Sequence, residues 1–163
     1  MHDLIRPVRP DDAAAIAAIY NPYVTGSNAT FETESVTAAE MRRRVEDIAA
    51  HCPYLVHETG GEVDAYCYAH PWKQRAAYSA TWETTVYVAP ARHGQGIATR
   101  LMMELIVRCR DLGCHALVAC ITGGNAASIA LHERLGFVQV SRFREVGRKD
   151  GEWLDVVDYE LLL

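Results

Sequence analysis

The sequence lacks the marks of a membrane protein, a metal protein or an oxidised scaffold. No apolar run approaches the roughly 20 residues that span a bilayer. The opening Met1-His2-Asp3-Leu4-Ile5-Arg6-Pro7 has none of the ordered regions of a secretory leader. Five cysteines (Cys52, Cys67, Cys109, Cys114, Cys120) form an odd set without metal-ligand spacing. They read as buried thiols in a reducing compartment, not as a disulfide framework. His51, Cys52 and His57 match no standard zinc spacing and lack an evident fourth ligand, so no metal is expected. No cysteine stands in a recognisable activated-nucleophile setting, which argues against a covalent acyl-enzyme. Positive charge is in deficit: the formal net charge is -5, the wrong sign for a general nucleic-acid binder. Repeats, linkers and low-complexity tracts are absent too. What remains is a chain of 163 residues, half of them hydrophobic and 23% charged, read as a single domain over 1–163. A cytoplasmic enzyme or binding module is expected.

The most informative stretch runs from Val86 to Thr99 (Val-Tyr-Val-Ala-Pro-Ala-Arg-His-Gly-Gln-Gly-Ile-Ala-Thr). A β-branched and aromatic run stops at a proline, a basic glycine-rich turn follows, and a long amphipathic helix begins. That order aims free backbone N–H groups at one point, with the positive end of the helix dipole behind them, and suits a pyrophosphate. A dinucleotide fingerprint fits poorly. Its sixth position holds Thr99, and the next strand ends in Cys120-Ile121 without the acidic residue expected roughly 20 positions on. A P-loop is excluded because no lysine follows either glycine. A plain turn, with glycines serving tight packing, stays open on these residues alone.

The remaining elements read as follows. Leu4 to Val8 is a strand. Pro10-Asp11-Asp12 opens a helix through Ile16, Ile19 and Tyr20, which Asn21-Pro22 ends. Tyr23 to Val36 is irregular. Thr37-Ala38-Ala39-Glu40 is a capping box for a helix with Met41, Val45 and Ile48 inward. Tyr54–Glu58 and Glu62–Ala69 are strands around Gly60-Gly61. Pro71 to Ala77 is a loop, and Ala80 to Val88 a strand. Gly94 to Asp111 is the long helix, with Ile97, Leu101, Leu105 and Ile106 on one face and Gly113 after its end. Ala116 to Ile121 is a strand, Asn125 caps a short helix, and strands near Val138–Val146 and Trp153–Leu161 close the chain. This order implies an α+β or three-layer α/β fold around one central sheet.

The turn resembles the acyl-CoA signature of the GNAT superfamily of N-acyltransferases, Arg/Gln-x-x-Gly-x-Gly/Ala. Here it reads His93-Gly94-Gln95-Gly96-Ile97-Ala98, with His93 where Arg or Gln is usual and Arg92 one residue early. Asn125 to Phe137 resembles the family's later segment, an Asn-capped helix ending in Leu-Gly-Phe. Within the superfamily the likeness is to the phosphinothricin and methionine sulfoximine N-acetyltransferases. It is carried by Ile19-Tyr20-Asn21, Trp82 to Val88, Gly123 to Ser128, Leu131-His132, and Gly147-Arg148-Lys149-Asp150-Gly151-Glu152-Trp153-Leu154-Asp155. The resemblance implies a mixed, splayed sheet with helices on both faces, acetyl-CoA as donor, a small amino-acid-like amine as acceptor, and a homodimer. Neither nucleic acid nor membrane is implied.

Acetyl transfer to an amine requires loss of the ammonium proton, polarisation of the thioester carbonyl and stabilisation of the thiolate. Glu83 is the candidate base. It lies in an apolar, threonine-rich strand, where alternation puts it on one face with Thr85 and Tyr87. The resemblance places the family's glutamate here and the Val88 N–H near the thioester oxygen, with Val86 to Val88 pairing the pantetheine arm. It implies His132 as the acid at the leaving thiolate, in the place of a tyrosine. His93 through Thr99 would hold the pyrophosphate, with Asn125 on the pantetheine arm and Arg134 on a phosphate. Arg92 and Arg100 would add positive charge nearby. For the acceptor, the resemblance points to Phe31, Glu32, Thr84 and Thr85, and to the loop of Lys73, Gln74 and Arg75, whose cations suit a carboxylate. Trp153 is a candidate for a dimer seam. Two alternatives stay open: a different acceptor, such as a polyamine, an aminoglycoside or a protein N-terminus, and a non-catalytic CoA-binding sensor.

Overall fold

The computed structural model describes residues 3–163. Met1 and His2, the start of the segment read as free of a leader, lie outside the described residues. Seven strands form one sheet: β1 (Asp3–Pro7), β2 (Tyr54–Thr59), β3 (Glu62–Pro71), β4 (Thr81–Val88), β5 (Ala116–Thr122), β6 (Val138–Lys149) and β7 (Glu152–Leu162). They lie in the order β1-β2-β3-β4-β5-β7-β6. Four helices cover it: α1 (Ala13–Gly26), α2 (Ala38–Ala49), α3 (Ile97–Asp111) and α4 (Ala126–Arg134).

Every neighbouring pair of strands is antiparallel except β4 with β5. That parallel pair is short. Thr81, Trp82 and Glu83 oppose Ala116, Leu117 and Val118. Beyond them β4 continues to Val88 against β3 alone, and β5 continues to Thr122 against β7 alone. The sheet therefore splays after Glu83, as the resemblance implied. Antiparallel ladders alternate the direction of their hydrogen-bonding groups. Ala89 N donates to Asp64 O at 2.8 Å, and Tyr87 stands opposite Tyr66. Tyr87, Thr85 and Glu83 thus direct their main-chain groups to β3. Those of Val86 and Val88 face the gap.

The two sheet faces hold separate cores. On one, Ile97, Leu101 and Leu105 of α3, all at most 2% exposed, pack on Leu55, Cys67, Ala69 and Leu117. The inward stripe read from helical spacing is the one observed, and each such leucine contributes roughly 1.5–3 kcal/mol of burial. On the other face, Ile16, Tyr20 and Val24 of α1 and Met41 and Val45 of α2 pack on Tyr54, Val56 and Tyr66.

Three readings of local structure need correction. Asn21-Pro22 does not end the first helix; α1 runs to Gly26 with Pro22 inside. An interior proline loses one helical hydrogen bond at about 3 kcal/mol, and tertiary contacts offset it. Val24 is 1% exposed, and the Asn21 amide clamps Val36, accepting from its N at 2.8 Å and donating to its O at 2.9 Å. The long helix starts at Ile97, not Gly94, because Gly94 (φ 76°) and Gly96 (φ 72°) are left-handed. Only half of the capping box forms. Glu40 N donates to Thr37 Oγ1 at 3.1 Å, while the Glu40 carboxylate goes to Arg43 and Arg44, which hold its pKa down to about 2.

The start of α1 carries an ionic anchor. Asp12 accepts from Arg6 at 2.8 and 2.9 Å and from the Arg9 N–H at 2.7 Å. Burial pushes the Asp12 pKa up, but the Arg6 and Arg9 bonds outweigh it and hold it below its ordinary 3.8. A depressed folded-state pKa stabilises above the unfolded value and is lost as pH falls through the folded one. Asp12→Asn should therefore cost about 1–2 kcal/mol at pH 7. The gap to wild type should shrink below pH ~4, near the ordinary carboxylate value. Denaturant titrations between pH 3 and 7 read both effects.

Candidate active site

The splay opens a cavity of about 740 Å³ between β4, β5, α4 and the turn that leads into α3. One wall is the free edge of β4 from Glu83 to Val88, another the inner part of β5. The floor carries Thr84 Oγ1, which is buried and has no hydrogen-bond partner among the described residues. Arg92 through Thr99 form the mouth.

At that mouth the backbone satisfies a demanding condition. Among the described residues, none of the main-chain N–H groups from Gly94 to Thr99 donates to a protein carbonyl; the first helical bond is Arg100 N to Gly96 O at 3.2 Å. These are the orphan donors of a helix start, and left-handed Gly94 and Gly96 shape the turn that presents them. The cradle fits a diphosphate, and the strand edge behind it fits an extended, amide-bearing arm.

Every residue expected to hold the coenzyme lines this cavity: Val86, Tyr87 and Val88 from β4, His93 through Thr99 from the turn, and Asn125 and Arg134 from α4. Two details differ from expectation, and one, the Asn125 cap, agrees with it. His93, in the usual Arg/Gln position, places Nε2 2.6 Å from Tyr23 Oη and 3.2 Å from the Val88 carbonyl. It braces the end of β4. Arg92 is ion-paired with Asp64 and Arg100 with Asp3, so only Arg134 of the three expected cations has no ion pair among the described residues. Asn125 caps α4 by accepting from Ser128 N at 3.2 Å.

His132 is 3% exposed and also lines the cavity. Its Nδ1 donates to the Ser128 carbonyl at 2.7 Å, and Phe137 packs edge-on at 5.0 Å. Burial lowers its pKa, with the Ser128 bond opposing. A neutral ring held this way keeps its single proton on Nδ1, leaving Nε2 as an acceptor only.

A second, smaller cavity of about 210 Å³ adjoins the first across β4. Glu83, Thr85, Tyr87 and Thr30 line both, so the shared face read from alternation is real. Its other walls are Tyr20, Tyr54, Tyr66 and Tyr68, with Glu32 and Arg44 at one side. Arg44 grips Glu32 with two bonds of 2.7 and 2.9 Å and, against burial, holds its carboxyl below the usual range. Tyr20 donates to Glu32 and lies 2.6 Å from Thr30 Oγ1. Glu83 sits at the junction, 27% exposed, with His70 Nε2 3.9 Å from its carboxylate.

The expected acceptor residues divide. Phe31 lines the large cavity and Glu32 the small one. Phe31 rests against Gly147, where an ideal Cβ would collide with its ring, and buried Lys149 donates to the Thr30 carbonyl at 2.8 Å. Lys73, Gln74 and Arg75 line neither cavity. Lys73 instead stacks on Trp72, its Nζ 4.1 Å from the ring centre, which satisfies the cation locally. Sequence reasoning missed Tyr23, Arg44 and the tyrosine wall. The period-two pair Tyr66 and Tyr68 was the available signal. Cys120 was missed as well; it lines the large cavity, and burial, then Glu83 and Asp158, push its thiol pKa up.

A family model described as an acetyltransferase (GNAT) domain matches residues 5–157. A phosphinothricin N-acetyltransferase of Alcaligenes faecalis is 41% identical over 155 residues, covering 94% of this chain and 79% of that protein. An L-methionine sulfoximine/L-methionine sulfone acetyltransferase of Pseudomonas aeruginosa is 37% identical, covering 98% and 94%. The crystal structure of a phosphinothricin acetyltransferase from Sinorhizobium meliloti in complex with acetyl-CoA superposes with a TM-score of 0.96 at 34% identity, covering 100% and 89%. The match of nearly the whole chain, in sequence and in fold, confirms what the splay and its glycine turn implied: the chain belongs to the GNAT family of acetyltransferases, whose donor is acetyl-CoA.

Proposed function

We propose that this protein acetylates the amino group of a small amino acid or amino-acid analogue, of the methionine sulfoximine and phosphinothricin type, by direct transfer with Glu83 as general base. One observation carries the reading. Glu83 is shared by the two cavities, so an amine in the tyrosine-lined chamber and a thioester in the large one meet beside a carboxylate. The names of the relatives support the acceptor class.

Bound acetyl-CoA supplies the acetyl group as an activated thioester. The N–H groups of Gly94 to Thr99 bind its diphosphate, and the gap-facing edge of Val86 and Val88 pairs its arm as an added strand. The Val88 N–H donates to the thioester oxygen as negative charge grows there. Glu83 takes the ammonium proton, directly or through one water. The freed amine attacks the thioester carbon, and the C–S bond breaks as the N–C bond forms. The proton that the new amide nitrogen sheds, carried through water, protonates the departing thiolate of coenzyme A. His132 and Asn125 line the thiol side. With the Ser128 carbonyl holding its proton on Nδ1, His132 accepts at Nε2, so we assign it to orienting that end, not to protonating the thiolate. Cys120 is no rival nucleophile, because an elevated pKa keeps it a thiol. Lys73, Gln74 and Arg75 are not carried into this reading, since they line neither of the two cavities. Phe31, Glu32, Thr84 and Thr85 are retained as the acceptor wall.

A homodimer and a cytoplasmic, reducing setting belong to the same proposal. The five free thiols, four of them buried, support the setting. The dimer is supported by β6, a long edge strand that exposes Val138, Val140, Phe143 and Val146, with Trp153 of β7 beside them at 59% exposure. A bare apolar edge of that length is otherwise an aggregation liability.

Three outcomes follow. Thiol release from acetyl-CoA should appear with L-methionine sulfoximine or phosphinothricin and be weak with polyamines and aminoglycosides. A reversed order would exclude the acceptor class, and no release with any amine would favour a sensor. Glu83→Gln should lower kcat about a hundredfold or more while the Kd for acetyl-CoA, read by calorimetry, changes little. Wild-type protein should sediment as a dimer, and Trp153→Asp with Phe143→Asp should sediment as a monomer.

A further inference from the structure

A buried ionic cluster lies behind the diphosphate turn, on the side away from the acceptor chamber, and the chemistry above does not use it. His57 of β2 is 0% exposed. A β-bulge shifts the β2–β3 register between His57 and Glu58; such bulges re-aim side chains. Both ring nitrogens are engaged. Nδ1 lies 2.5 Å from Asp64 Oδ1, and Nε2 lies 3.3 Å from Arg100 Nη2. A guanidinium can only donate, so Nε2 accepts and the ring proton sits on Nδ1, facing the carboxylate.

Asp64 of β3 reaches further. Its Oδ2 accepts from Thr59 Oγ1 at 2.8 Å and lies 3.0 Å from Arg92 Nε. That Nε–H is misaligned for a hydrogen bond, so charge attraction and the Arg92 Nη2 bond to Thr59 Oγ1, at 3.0 Å, fix the guanidinium. Arg100 also donates to Asp3 at 3.3 and 3.4 Å. Two arginines and two aspartates balance around one histidine. Arg92 immediately precedes the diphosphate turn, and Arg100 lies in the first turn of α3, just after it. The turn itself has exposed Gly94, Gln95 and Gly96, and no heavy atom lies within 4 Å of where a Cβ would stand on either glycine. Arg92 and Arg100 hold its two flanks through Asp64, His57 and Asp3.

We propose that Asp64 and His57 are positioning residues for the coenzyme. They anchor Arg92 and Arg100 on either side of Gly94–Thr99 and thereby set the spacing of the N–H groups that receive the diphosphate. The two arginines act as struts of the turn instead of phosphate ligands. This rests on the family's use of acetyl-CoA, not on the proposed acceptor.

Calorimetric binding of coenzyme A alone tests it without any acceptor. Asp64→Asn should weaken the Kd about tenfold, since small misplacements of preorganised groups are costly. With acceptor present, kcat at saturating acetyl-CoA and the acceptor KM should stay within about twofold, because only uniform binding is lost. Thr59→Val removes one hydroxyl from the same cluster and should weaken binding about threefold, in keeping with one lost hydrogen bond; it decides the matter if Asp64→Asn fails to fold. Unchanged or tighter binding in a folded variant would overturn the proposal. So would a parallel loss of kcat and both KM values with the melting temperature. Wild-type protein that failed to bind coenzyme A would instead contradict the family's chemistry in this chain.

Discussion

The structure depends on a parallel strand pair that stops early. Had β4 and β5 stayed paired beyond Glu83 and Val118, the main-chain groups of Val86 and Val88 would be consumed in the ladder and no gap would exist. Instead β5 turns its remaining length to β7, and β4 keeps β3 on one side only. Unpaired main-chain groups are costly when buried without water; here they line an open cavity that solvent reaches. The same divergence carries α4 away from the turn before α3, so a helix start, a strand edge and a carboxylate surround one volume.

Electrostatics in that volume come mainly from the backbone. Of the cations near the diphosphate turn, Arg92 and Arg100 are already paired with Asp64 and Asp3. Orphan N–H groups and the α3 dipole provide the positive end. Beside the smaller chamber, Arg44 neutralises Glu32, and Glu83 is the carboxylate common to both chambers. The tyrosines around it pack against one another, Tyr20 edge-on to Tyr87 at 5.1 Å and Tyr54 tilted on Tyr68 at 4.8 Å, and wall the small chamber.

Local patterns in the sequence proved readable where local physics decides the structure. Gly94 and Gly96, the α3 stripe and the Asn125 cap depend on neighbours in the chain. The α1 boundary was misread because Pro22 is a local stop signal, overruled by the non-local Asn21–Val36 clamp and by burial of Val24. The roles of Arg92 and Arg100 were invisible for the same reason: their partners lie on β1, β2 and β3. Lys73 illustrates the converse. A cation in a loop attracts a functional reading, and its true partner, Trp72, is the adjacent residue. His132 lines the cavity, and the position of its proton follows from the Ser128 carbonyl, whose direction no spacing rule reveals.

Amide hydrogen exchange with and without coenzyme A tests the central claim most directly. If the splay and the α3 start are the coenzyme site, Val86, Val88 and the amides from Gly94 to Thr99 should gain protection together on binding. The β3-facing amides of Thr85 and Tyr87 should change little. Binding that protects a different surface, or that leaves the β4 edge exchanging as in the free protein, would contradict the account.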